Sequence, residues 1–147
     1  MLIRTLLLLS ALTGPVLGDG VGLVRVGQSW RYFRGLEEPS VQTNAWTQLA
    51  FDDSGWPEGQ AGFSNGLVGY GEATQLRDMF PKYGSVYFRK SFAVADPKQI
   101  QWLLLRVDYS AGFVAYLNGL EVARRNLPGS PGARVPFDTP ASALHLR

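Results

Sequence analysis

Gly112–Arg125 reads GFVAYLNGLEVARR, and the Asn118-Gly119 pair at its centre decides the fold class. A two-residue type I′ turn needs positive φ at both central positions, and Asn and Gly tolerate that conformation best. Flanked by apolar-rich runs, the pair predicts a β-hairpin whose two-residue loop sets the register. Leu117 then faces Leu120, Ala115 faces Val122 and Phe113 faces Arg124. Phe113, Ala115, Leu117, Leu120 and Val122 share one face, which must be buried, while Val114, Tyr116, Glu121, Ala123 and Arg125 form a mixed face. An isolated hairpin is marginal in water, so the remaining chain has to supply the sheets that cover it.

Those sheets are legible on either side. Ser29–Arg34, SWRYFR, alternates Trp30, Tyr32 and Arg34 against Arg31 and Phe33. Ser85–Val94, SVYFRKSFAV, places Val86, Phe88, Phe92 and Val94 on one face with Lys90 intruding. Ile100–Asp108, IQWLLLRVD, is apolar on both faces, the pattern of a strand covered on both sides. Between them, Trp46–Gly59 holds Asp52-Asp53-Ser54-Gly55, turn formers whose short side chains bond nearby backbone, with Phe51 and Trp56 pinned inward. The stretch 61–84 is long and glycine-rich, with at most one helical turn over Glu72–Met79 before Pro81. Leu127–Pro140 carries four prolines and reads as loop. Ala141–Arg147 begins an element without completing it, so the expectation is a domain over 19–147 that is incomplete at its C-terminus, its last strands either lying in further sequence or lost from a truncated gene product.

The first 18 residues read as an export signal. Arg4 supplies the positive charge, Thr5–Leu12 the short leucine-rich run, and Gly14-Pro15 the break before cleavage after Gly18. The apolar run is shorter than the ~20 residues of a membrane span. There is no Cys, so the exported domain folds without disulfides and has no thiol to acylate. The expected localisation is secreted or cell-surface, in a bacterial setting. Fourteen basic residues against twelve acidic ones, with no cluster interleaved with aromatics, give no footprint for nucleic acid.

Taken together, WRYFRG (Trp30–Gly35), W-x4-FDDS-x-W-x2-G (Trp46–Gly59), Gly62-Phe63, Gly69-Tyr70-Gly71, VYFRKSF (Val86–Phe92), L-x-LRVDY (Leu103–Tyr109) and GFVAYLNG-x-EVAR (Gly112–Arg124) resemble the galactose-binding-domain-like modules of secreted bacterial proteins. The resemblance covers Gln28–His145. It implies an all-β, antiparallel β-sandwich of jelly-roll type, similar to the sugar-binding accessory domains of glycoside hydrolases, and a downstream domain of the same polypeptide as neighbour. This chain departs from the family at Ser110-Ala111-Gly112, where members commonly carry Asp-Asp-Gly. It also lacks the later strands with a G-x-N-x-L-A-type segment.

The residue inventory argues against catalysis. A hydrolytic triad needs a base, and the sole histidine is His145, with no Cys as nucleophile. The adjacent carboxylates Asp52 and Asp53 suit backbone capping better than acid–base work, and Glu72 with Asp78 shows no sign of the burial that would raise a pKa. Calcium is the one metal whose oxygen ligands the chain offers, at Asp52, Asp53 and Asp108, but without a spaced Asp/Asn ladder the turn role carries more weight. No cofactor is expected. Of the four tryptophans, Trp30 and Trp102 are assigned to the core, and Trp46 and Trp56 to pinning the turn. Arg124-Arg125 reads as a solvated strand end. Sugar recognition rests on aromatic faces and planar polar groups. The residues placed for it are Tyr70, Arg77, Asp78, Tyr83, Asp108 and Tyr109, in the long loop and at the hairpin entry. The function expected is non-catalytic binding of a glycan or polysaccharide; the alternative is a structural or protein-interaction module that positions a neighbouring domain.

Overall fold

The structure, a computed structural model, describes residues 6–12, 21–66 and 73–145. Its strands are β1 (Leu6–Leu12), β2 (Val21–Val24), β3 (Ser29–Arg34), β4 (Glu58–Gln60), β5 (Phe63–Ser64), β6 (Thr74–Gln75), β7 (Val86–Arg89), β8 (Trp102–Asp108), β9 (Phe113–Leu117) and β10 (Leu120–Arg125). Helix among the described residues is limited to the single turn α1 (Met79–Lys82) and two 3-10 turns at Ala45–Thr47 and Pro97–Gln99. The chain is therefore all-β. Strands pair in the orders β2-β1-β8, β4-β3-β7, β10-β9 and β5-β6. Every pairing is antiparallel except β5 with β6.

Within the stretch read as a leader, Leu6–Leu12 is β1, lying between β2 and β8. Residues 1–5 and 13–20, with the expected cleavage point, fall outside the described residues. No described helix is long and apolar enough to cross a membrane.

The hairpin forms around the predicted turn, with Asn118 at φ 49° and Gly119 at φ 85°. Its register is as expected only at the turn, where Leu120 faces Leu117 and Glu121 faces Tyr116. Beyond that the ladder shifts at Val122, so Ala123 faces Ala115 and Arg125 faces Phe113. A bulge of this kind sets two residues of one strand against one of its partner and redirects every side chain after it. The expected apolar face is broken accordingly, and Leu120 and Val122 are exposed. Arg124, expected in solvent, is turned inward against Glu121.

The buried core gathers Val24, Trp30, Tyr32, Ala61, Phe63, Leu76, Met79 and Tyr83, with Leu23, Val86, Phe88, Phe92 and Leu105 packed against it. Phe63 is nearly inaccessible and packs in tilted contact with Phe88 at 4.6 Å and Tyr32 at 5.4 Å. Five of these residues, Ala61, Phe63, Leu76, Met79 and Tyr83, come from the long glycine-rich stretch 61–84, which is thus anchored by its own apolar side chains. The helical conformation breaks at this proline, as expected: Phe80 (φ −90°, ψ 132°) and Pro81 are non-helical within α1.

Two strands differ from expectation. The Ser85–Val94 strand is laddered only over Val86–Arg89, and β8 is not covered on both faces: Trp102 is 69% exposed, with Leu103 and Leu104 also open. Trp102 is therefore no core residue. A groove of about 1110 Å³ runs along one face, lined by side chains of the β7 segment, β8 and β9, including Phe88, Phe92, Leu103, Leu105 and Phe113; Trp102 and Leu104 do not line it. Apolar periodicity marks a side chain fit for burial, but burial itself needs a facing layer.

Candidate functional site

The FDDS turn is structural in detail. Ser54 N–H donates to Asp52 Oδ1 at 2.9 Å, and this bond holds the Asp52 carboxyl below its ordinary range. Asp53 takes Arg89 Nε at 2.7 Å, and the Arg89 fork also donates to the carbonyls of Trp46, Gln48 and Phe51. One guanidinium thus ties β7 to the whole turn. Trp56 is buried between Phe33 and Phe51, at 5.3 Å and 5.7 Å. Trp46 packs edge-on against Tyr87 and Tyr116. The pinning role expected of both tryptophans is what these contacts provide. Asp108 closes β8 opposite the backbone of Leu6. Among the described residues no three His, Asp or Glu side chains cluster as a metal site.

The six sugar-site candidates divide. Tyr70 lies outside the described residues. Asp78 and Tyr83 meet: the Tyr83 hydroxyl donates to Asp78 Oδ1 at 3.0 Å. Asp78 Oδ2 lies 3.0 Å from Arg34 Nε, and Arg34 lies over the Tyr32 ring, 5.3 Å from its centroid. The Arg34–Asp78 approach is electrostatic rather than an aligned hydrogen bond, since Arg34 Nε has no acceptor in line. Burial and then the Asp78 carboxylate push the Tyr83 hydroxyl up to about 12. For Arg34, burial alone would lower the pKa, but Tyr32, Asp78 and Tyr83 outweigh it and the net direction is upward. Arg77 is exposed and donates to Gln75 at 2.8 Å.

Tyr109 belongs to a second constellation. Its ring stacks on His145 at 4.4 Å and meets Phe113 edge-on at 4.8 Å, while His145 N–H donates to the Ser110 carbonyl. Ala111 is fully buried and its carbonyl accepts from Asn126 Nδ2. A side chain at Gly112 would meet the carbonyls of Arg125 and Asn126 at 2.9 Å. The hairpin entry is accordingly a packed joint.

Two residues of the first constellation escaped sequence reasoning. Arg34 reads as the end of strand β3, and only the tertiary fold carries it to Asp78. Phe80, two residues beyond Asp78, is 73% exposed. Its only sequence signal was an aromatic residue next to Pro81 in a segment too short to bury it. Together the cluster presents a carboxylate and a guanidinium, both partly open to solvent, with an exposed phenyl ring two residues further along the chain. Such groups can bond vicinal hydroxyls while the ring covers an apolar sugar face.

Comparison with known proteins gives no match to any family model, curated protein or solved structure.

Proposed function

We propose that this chain is a non-catalytic carbohydrate-binding accessory module of an exported bacterial protein, built on a galactose-binding-like β-sandwich and binding a glycan or polysaccharide through the Arg34–Asp78–Tyr83 cluster and Phe80. The observation that carries this reading is the exposed Phe80 ring placed in sequence beside a carboxylate already fixed by Arg34 and Tyr83. A pre-fixed planar acceptor loses little entropy on binding, and an exposed aromatic is otherwise poorly used by a folded domain. The leader-like first 18 residues support export, and a downstream domain of the same polypeptide is the neighbour such a module would serve. The single His145, stacked on Tyr109, offers no catalytic base in this cluster.

Retention on a panel of insoluble polysaccharides and on a glycan array tests the proposal. The wild-type chain should be retained by at least one sugar, and Phe80→Ala and Asp78→Asn should each abolish retention. Retention on no sugar, or retention that survives both substitutions, would sink it.

A second reading has its own support. Trp102, Leu103 and Leu104 are exposed on one strand, as suits a module that packs on a neighbouring domain rather than on sugar. Loss of all glycan binding, with Trp102→Ala weakening attachment to a neighbouring domain, would favour it.

A further inference from the structure

The segment after β7 has the pattern of a strand and has no strand partner among the described residues. Burial alternates with period two, Phe92 and Val94 being half-buried and Ser91, Ala93 and Ala95 exposed. The ladder nonetheless stops at Arg89, and β7 is the outermost strand of its sheet. The direction of its free edge follows from the bonds of β3. Tyr32 N–H turns to Pro57 on the β4 side and Gly35 N–H to Ser85 on the β7 side. Residues 85, 87 and 89 therefore bond inward, and the alternation sends the N–H and C=O groups of Val86, Phe88, Lys90, Phe92 and Val94 outward. A half-apolar edge with outward polar backbone, running from β7 to a bend at Ala95, is a template for another strand.

Its own sequence is the complement. If Lys90–Asp96 pairs antiparallel with a second copy about Ala93, Phe92 falls opposite the partner's Val94 and Lys90 opposite the partner's Asp96. The outward-bonding residues are then matched with outward-bonding residues, and the two-fold axis passes through a non-bonded Ala93 pair. The charges are available for this. The Lys90 ammonium donates to the Ser29 carbonyl at 2.9 Å and has no carboxylate within ion-pair distance among the described residues. Among the described residues Asp96 accepts only from the neutral Lys98 N–H and Gln99 Nε2. Phe92 and Val94 line the groove, so the partner's Val94 and Phe92 would extend the cover over its apolar wall. The 3-10 turn at Pro97–Gln99 ends the edge on each side.

We propose that the chain forms a two-fold dimer by antiparallel pairing of Lys90–Asp96 with the same segment of a second copy, in the register that sets Lys90 against Asp96. This surface is separate from the Arg34–Asp78–Tyr83 cluster, and the proposal does not depend on sugar binding. Sedimentation equilibrium of the full chain should show a monomer–dimer equilibrium. Lys90→Asp alone and Asp96→Lys alone each place like charges opposite one another twice per interface and should weaken the dimer about tenfold or more. The Lys90→Asp, Asp96→Lys double variant exchanges the charges and should restore wild-type affinity. All four proteins should keep the same far-UV spectrum, since both side chains lie outside the core. A monomer at every concentration, a dimer indifferent to the single exchanges, or a double variant that is not rescued would each overturn the proposal.

Discussion

Glu121 and Arg124, three residues apart on β10, meet at 2.8 Å with side chains only 5% and 9% exposed. The contact is bidentate, Arg124 Nε and Nη2 each donating to one carboxylate oxygen. The pair also reaches out to the following loop: Arg124 donates to the carbonyls of Pro128 and Ala133, and Gly132 N–H donates to Glu121. It folds the proline-rich stretch back onto the hairpin. The bulge at Val122 makes it possible by bringing positions 121 and 124 to one side.

Removing one partner leaves the other charge buried. Glu121→Ala should cost about 3 kcal/mol in urea unfolding, with loss of protection from proteolysis in 127–133. The Arg124 bond lowers the Glu121 pKa from its usual 4.5, with the Gly132 N–H acting in the same direction. A depressed carboxylate pKa contributes stability that is fully present above the unfolded value and lost as pH falls through the folded one. The wild type should therefore lose stability below pH ~4.5, and Glu121→Gln should flatten that part of the profile.

Arg89 holds the FDDS turn through four acceptors on residues 46–53. Arg89→Ala should destabilise by about 2–4 kcal/mol, since it leaves three carbonyls and the Asp53 carboxylate without their donor. Arg89→Lys should recover only part, because an ammonium cannot reproduce the planar fork. Chemical denaturation of the three proteins measures both effects.

At the hairpin turn, Gly119 combines φ 85° with close approach of the Gln48 side chain to the space a Cβ would fill. Gly119→Ala should cost about 1–2 kcal/mol. Combining it with Gln48→Ala should relieve the steric part and leave the backbone part, which a double-mutant cycle separates.

Tyr83 titrates near 12 in the folded protein because burial and Asp78 disfavour its phenolate. A raised pKa contributes stability that is present below the unfolded value of about 10 and lost as pH rises through the folded one. Urea midpoints should fall from pH ~10 upward. The decline should be shallower in Tyr83→Phe, with a residue left by Tyr87 and Tyr116, whose hydroxyls burial also pushes up.

Phe80→Ala should change unfolding free energy by no more than about 0.5 kcal/mol, the usual limit for an exposed position. Paired with its expected loss of polysaccharide retention, that result separates a binding ring from a packing one.

Local chemistry alone determined the strand character of this chain, its Asn118-Gly119 turn and the structural use of Asp52, because each depends on φ/ψ preference, period or a bond between near neighbours. Trp30, assigned to the core, is buried there, its alternation sitting on a strand paired on both edges. What the tertiary structure decided were relations between segments distant in sequence. Arg34 reaches Asp78 across the fold, Arg124 turns inward through a bulge that no residue type announces, and Trp102 stays exposed on an apolar strand because no layer lies over it. A side chain's hydrophobicity is its own property. Its burial, and the charge it meets, belong to whatever the rest of the chain brings alongside.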